Sequence, residues 1–242
     1  MALRDSGYSV LTVRHYLECP ETASPKTIII RHDVDRKIRN AVHMAGLEHS
    51  LGIHTTYYFR YPSTFRPEII ATIRDMGHEI GYHYETFSKA RGDPEKAISL
   101  FESELRSLRT IAEIHTICMH GSPLSPYDNR DLWKTHDFKT FGILGEAFLS
   151  MEGVPYFSDT GRNWSGKNSL RDAMPDKDGK RTMVSVETTD DLIAYIRSGT
   201  DGPIYLTLHP ERWALNSGEW IMGAMADYAM NAGKKIIWLI RT

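Results

Sequence analysis

The chain has 242 residues, 41% of them hydrophobic, with a formal net charge of −2. That length holds one large α/β domain with an ample core, or two small ones. The near-neutral charge gives no electrostatic case for nucleic acid or an anionic membrane surface. The two cysteines, Cys19 and Cys118, are too few and too distant for a disulfide framework or a zinc knuckle.

Residues 1–25 read as an N-terminal extension to a single domain over 1–242, with its core over 26–240. Thr27 to His32 is a nearly continuous apolar run, the pattern of a strand buried on both faces. Ile38, Val42, Ala45 and Leu47 then recur at close to helical spacing between Lys37 and Leu51, and Gly52 stops that helix. His54 to Phe59 is rich in Thr and Tyr and reads as a second strand. Pro67 to Met76 starts on a proline and ends before Gly77, the asymmetry expected of a helix. His78 to His83 is the third strand. Pro94 to Ala112 is an amphipathic helix with Ile98, Phe101, Leu105 and Leu108 on one face, and His115 to Met119 is the fourth strand.

The second half is less regular. Phe138 to Phe148 reads as strand plus turn, Val154 to Ser158 as a strand, Asn163 to Arg181 as a long polar loop, and Met183 to Val186 as a short strand. Thr188 to Asp191 opens a helix. Pro203 to Leu208 is a strand. Trp220 to Ala232 is a helix capped by Gly233, and Ile236 to Ile240 closes the chain as a final strand. Seven or eight strands alternating with helices predict a parallel sheet, closed or nearly closed into a distorted (β/α) barrel like a TIM barrel.

Acids and imidazoles gather where these strands end. Asp33 and Asp35 follow the first strand and, two residues apart, share one face of an extended chain. Such a pair repels unless a cation or a shared proton compensates, though a helix cap and a solvated acid would also explain it. His83 and Glu85 repeat the spacing after the third strand, and imidazole with carboxylate suits zinc, iron or manganese. His78, at the start of that strand, reads as structural. His120 stands in a His-Gly-Ser-Pro turn after the fourth strand. His209 follows Leu206-Thr207-Leu208, where an imidazole can act as a general acid. Asp159, Arg162 and Trp164 follow another strand. Trp164, Trp213 and Tyr127 would suit a sugar-ring platform, although loop aromatics more often serve packing. Lys37, Arg60, Arg162 and Arg212 are candidate partners for a substrate anion.

These motifs, in this order, resemble the polysaccharide deacetylase family of metal-dependent carbohydrate esterases, over about Thr27 to His209. Gly77-His78-Glu79-Ile80-Gly81-Tyr82-His83 carries the most specific match, and the resemblance makes His83 a metal ligand. Ile30-Arg31-His32-Asp33-Val34-Asp35 stands where the family has a base and a ligand. By order Asp33 is similar to the base and Asp35 to the ligand, with the exchanged assignment open. Leu206-Thr207-Leu208-His209 resembles the motif of the catalytic acid, and Asp159 through Trp164 the family's Asp-and-Trp motif.

The departures mark a divergent branch. Val34 separates two aspartates that are usually adjacent. Phe87 stands where the family has its second histidine, so the third ligand is Glu85 or His120. The arginine that orients the base is Arg31 or Arg162. The resemblance implies a divalent metal, zinc first, with cobalt, nickel or iron as alternatives. It implies a hydrolase that removes an acetyl or similar acyl group from an amino sugar or glycan precursor, with Arg31, Tyr127, Asp159, Arg162, Trp164 and Trp213 binding the carbohydrate. Two other readings stand beside it: a metal-free hydrolase of C–N bonds on the same fold, and an inactive glycan-binding barrel. Met1 to Ser6 has no apolar signal core and no run of about 18 apolar residues occurs, so a cytoplasmic enzyme of surface-polysaccharide or lipopolysaccharide biosynthesis is the expectation.

Overall fold

A computed structural model describes residues 2–121, 125–151, 153–164 and 186–228. Among them, one curled sheet holds eight strands: β1 (Ser9–Leu11), β2 (Thr27–Val34), β3 (Thr56–Phe59), β4 (Glu79–Tyr84), β5 (Thr116–Met119), β6 (Gly145–Glu146), β7 (Tyr156–Ser158) and β8 (Ile204–Leu208). Seven of them run in the order β6-β5-β4-β3-β2-β8-β7, all parallel, and β1 pairs with the start of β2. The result is a distorted (β/α) half-barrel, with β2 at its centre and buried along its whole length. The segment before the core is built into the sheet: β1 lies in register with Thr27 to Ile29, on the same edge that β3 takes from Arg31 onward.

Short helices α1 (Ala2–Asp5) and α2 (Val13–Glu18) flank β1, and α5 (Thr86–Lys89) follows β4. Parallel strands need crossovers, and longer α-helices supply several of them. α3 (Ile38–Ser50) joins β2 to β3, α4 (Pro67–Asp75) joins β3 to β4, and α6 (Pro94–Arg109) joins β4 to β5. Each starts and stops for a local reason. Pro67 and Pro94 occupy first turns, where no amide partner is lost, and the Asp93 carboxylate accepts the Lys96 amide. After α4 the chain turns at Gly77 with φ 89°, a conformation that costs other residues a Cβ clash. The main core lies between sheet and helices: Phe101 of α6 packs on Tyr82 and Tyr84 of β4 and on Trp133. A smaller cluster joins Ile28, Ile30, Leu206, Trp164 and α7 (Thr189–Ser198), whose Thr188 and Asp191 form a reciprocal cap.

The strand-plus-turn expected over Phe138 to Phe148 is a 3-10 turn at Phe138–Phe141 followed by β6. Residues 217–228 are helical, starting three residues before the expected Trp220. The expected loop over 165–181, the strand at 183–185, the Gly233 cap and the strand over 236–240 lie outside the described residues. No helix among the described residues is long and apolar enough to cross a membrane.

Candidate active site

Period-two alternation aims the functional side chains. Tyr82 and Tyr84 pack outward on α6, which turns Gly81 and His83 to the concave face. On β2, His32 faces out to Glu48 of α3 (2.8 Å), which leaves Arg31 and Asp33 on the other side. Register does the rest, since His83 of β4 lies beside Cys118 of β5.

Arg31 is fully buried in a cage formed by Phe148, Tyr156 and Tyr205, its guanidinium 4.2 Å from the Phe148 ring centre. It donates to the Tyr205 hydroxyl (2.9 Å) and pairs with Asp33 Oδ1 (3.3 Å). Asp33 therefore has a fixed cation behind it. Of the two arginines considered for orienting this acid, Arg31 touches it. Arg162 pairs instead with Asp227 (2.7 Å) and lies over Trp220.

Asp35 is held differently. Its Oδ1 lies 3.3 Å from His83 Nε2 and 3.5 Å from His120 Nε2, yet is buried with no hydrogen-bond partner. Both imidazoles are anchored through their other nitrogen. His83 Nδ1 donates to the Cys118 carbonyl (3.0 Å) and His120 Nδ1 to Glu85 Oε2 (3.0 Å), which places a proton on each Nδ1 and turns each Nε2 toward Asp35. Burial would raise the Asp35 carboxyl, but His120 and His83 outweigh it and hold the group well below the usual carboxylate range. Burial opposes the charged form of His83, yet Asp33 and Asp35 outweigh it and hold that imidazole above its ordinary value. Asp35 Oδ1 thus faces a nitrogen of each imidazole, and a carboxylate with two imidazoles is the donor type that suits a divalent cation.

Glu85 is already engaged. Its carboxylate takes Arg60 Nη2 (2.8 Å) and His120, with Lys89 Nζ at 3.6 Å. Burial works against the ionised form, but His120, Arg60 and Lys89 pull it down to about 2. A carboxylate bonded to the far side of a ligating histidine is the common outer-shell arrangement of metal sites.

A second group shares His83. Asp33, His83 and Cys118 present ligand atoms within 4.8 Å of one another. The Asp33 oxygens, however, are partnered by Arg31 and by the Cys118 thiol (3.9 Å), unlike Asp35 Oδ1. Cysteine spacing in the sequence gave no sign of this contact, which depends on the β4–β5 register.

His209 follows β8, the strand paired with β2 on the edge away from β3. Its Nδ1 lies 2.6 Å from Asp159 Oδ1, which Arg212 Nη1 also reaches at 2.8 Å. Asp159 Oδ2 accepts the His209 amide (3.1 Å) and the Trp213 indole N–H (3.0 Å). Burial and Arg212 disfavour the imidazolium, but Asp159 outweighs them and raises His209 to about 9. Burial likewise opposes ionised Asp159, while His209 and Arg212 bring it down to about 2. Asp159 is thus a buried anchor for His209 and Trp213.

Other contacts place the remaining candidates. Tyr127 meets the Phe87 ring edge-on, and Trp164 is 7% exposed in the smaller core cluster with its indole N–H on Thr189 (3.2 Å). Trp213 is 41% exposed at the site's edge. Lys37, Arg60, Arg162 and Arg212 each pair with a carboxylate: Glu219, Glu85, Asp227 and Asp159. His78 is structural, bonded to Thr55 and to the Ala45 carbonyl. Sequence reasoning missed Glu211, two residues past His209. It is buried, and burial together with Asp35 raises it to about 7. An acid just past a strand end was the signal that could have found it.

No protein-family model and no curated protein matches this sequence. Solved structures do. The chain is similar to a CE4 esterase from Streptococcus mutans at a TM-score of 0.50 and 12% identity, over 96% of this chain and 90% of that one. It also matches the catalytic domain of a peptidoglycan N-acetylglucosamine deacetylase from Eubacterium rectale at 0.48 and 12%, over 84% of each chain. A family 4 carbohydrate esterase from Bacillus anthracis matches at 0.42 and 13%, over 96% of this chain and 84% of that one. At such identities the likeness is one of backbone architecture: this chain has the fold of a CE4 carbohydrate esterase.

Proposed function

We propose that this protein is a metal-dependent hydrolase of the polysaccharide deacetylase family that removes an acetyl or similar acyl group from an amino sugar or glycan precursor. The observation that carries the reading is the meeting of Asp35 Oδ1 with the Nε2 atoms of His83 and His120, each imidazole anchored from behind. The fold shared with the Streptococcus mutans CE4 esterase supports it.

Asp35, His83 and His120 would hold the cation, zinc first by donor type, with cobalt, nickel or iron as alternatives. Glu85 orients His120. When bound, a divalent cation polarises the acyl carbonyl and lowers the pKa of a water. Asp33, held in place by Arg31, takes the proton from the attacking water. His209, held by Asp159, gives a proton to the leaving amine or alcohol. The products are acetate and a free amino or hydroxyl sugar.

The test pairs metal analysis by mass spectrometry with acetate release from N-acetylglucosamine oligomers and a nucleotide-linked N-acetyl sugar. Wild type should carry one equivalent of metal that His83→Ala and His120→Ala lose. Asp33→Asn and His209→Ala should keep the metal and the fold while turnover falls by about 10² or more. Absence of metal after incubation with excess zinc or cobalt would rule the reading out, and unchanged turnover in either variant would remove that residue from it.

A further inference from the structure

Asp159 is shared more widely than an anchor for one imidazole requires. Its Oδ2 accepts the His209 amide and the Trp213 indole N–H, and its Oδ1 meets His209 Nδ1 at 2.6 Å and Arg212 Nη1 at 2.8 Å. Four donors fill the carboxylate. The same Arg212 Nη1 lies 2.7 Å from His209 Nδ1, so a guanidinium stands against the back of the ring. The Arg212 side chain is 12% exposed and its Nε is buried without a hydrogen-bond partner, so water does little to screen that charge.

The placement matters for a proton donor. A buried carboxylate paired with one imidazole stabilises the imidazolium and so retains its proton. Arg212 opposes this in two ways: it takes part of Asp159 Oδ1, and it sets a like charge against the ring. With His209 protonated, the side chains of His209, Asp159 and Arg212 together carry one net positive charge in a desolvated setting. Once His209 has released its proton the three are neutral. The other charges that act on His209 are Asp35, after β2, and Glu211, on its own turn.

We infer that Arg212 is a positioning residue for the proton donor: it shares one oxygen of Asp159 with His209 and readies the imidazole to release its proton to the leaving amine. This rests on the hydrolase reading, in which His209 is that donor. As the C–N bond breaks, its electron pair goes to nitrogen, which takes the imidazole proton, and the ring is left neutral.

The test uses full-length protein with zinc added. The substrates are para-nitrophenyl acetate, whose leaving group departs without a proton, and N-acetylglucosamine oligomers or a nucleotide-linked N-acetyl sugar, whichever wild type hydrolyses. Arg212→Gln keeps a donor for Asp159 and removes the charge, whereas Arg212→Lys keeps the charge. Asp35 and Glu211 are present in every variant. Arg212→Gln should lower kcat on the amide about tenfold with KM little changed, and should lower the ratio of amide to ester turnover by the same factor. Arg212→Lys should recover most of that loss. In a His209→Ala background, Arg212→Gln should change amide turnover by less than about twofold, because the group it acts through has gone. Thermal melting reports the fold, and Arg212→Met stands in if Arg212→Gln does not fold. A folded neutral variant that keeps wild-type amide turnover, slows amide and ester alike, or costs as much without His209 as with it would overturn the positioning role and leave the hydrolase reading standing. Wild type that hydrolyses neither N-acetyl substrate would overturn that reading, and this inference with it.

Discussion

Asp33 and Asp35 are the same residue type two positions apart, yet their surroundings differ. Arg31 backs Asp33 with a buried guanidinium, while two imidazoles face Asp35. Asp159 shows the same logic in a third acid, and its depressed titration makes a stability claim. An acid whose folded value lies below its unfolded one stabilises the fold above the unfolded value and loses that contribution as pH falls through the folded value. For Asp159, moving from the ordinary 3.8 to about 2 in a fully buried setting is worth about 2 kcal/mol at neutral pH. Urea unfolding of wild type and Asp159→Asn should differ by at least that much at pH 6, since the variant also strips His209 of its partner. The gap should narrow between about pH 4 and pH 2. A gap that stays constant across that window would mean the His209–Asp159 pair adds no pH-linked stability.

At the scale of the element, strand β4 explains why the motif around His83 contains Gly81. A Cβ built there runs into the buried Tyr58 ring and comes within 3.2 Å of the Thr116 carbonyl on the next strand. Tyr58 is pinned by its hydroxyl on Thr116 Oγ1 (2.9 Å), so the ring cannot swing aside cheaply. Gly81→Ala should therefore cost about 1–3 kcal/mol in urea unfolding, the usual penalty of overpacking a tight core. A loss below about 0.5 kcal/mol would show that Tyr58 yields. Elements such as β2 and α6 were legible in the sequence because eight buried residues in a row, or apolar residues at i, i+3, i+4, leave a period to read. β1, the short helix at Thr86–Lys89 and the 3-10 turn at Asn129–Lys134 were not, because three to six residues hold no period. The candidate site divides in the same way. Acids and histidines at strand ends could be picked out by position. That Glu85 bonds His120, or that Cys118 meets Asp33, depends on register and side-chain direction, which composition does not encode.

Across the whole molecule, curvature of the sheet is what makes a site. Asp35 follows β2, His83 lies on β4 and His120 follows β5, so β3 separates the first two and both β3 and β4 separate the outer pair. With neighbouring strands about 4.8 Å apart, a flat sheet would hold those backbones roughly 10 and 14 Å from one another. The side-chain atoms nonetheless lie 3.3 and 3.5 Å from Asp35 Oδ1, because the sheet curls around them. A cation held there would tie three strands together across the curl, so it should stabilise the whole fold rather than one loop. At a free zinc concentration about 100 times its dissociation constant, stability should rise by about 2.7 kcal/mol. Chemical unfolding with and without zinc would measure this. The increment should be largely lost in His120→Ala, which removes the ligand farthest from β2 in strand order. The metal-free variant should unfold more easily than metal-free wild type, since Glu85 loses its bond to His120, so the zinc increment is taken within each protein. A zinc increment of equal size in His120→Ala would place the cation on the β2–β4 side alone, and would leave β5 out of the site.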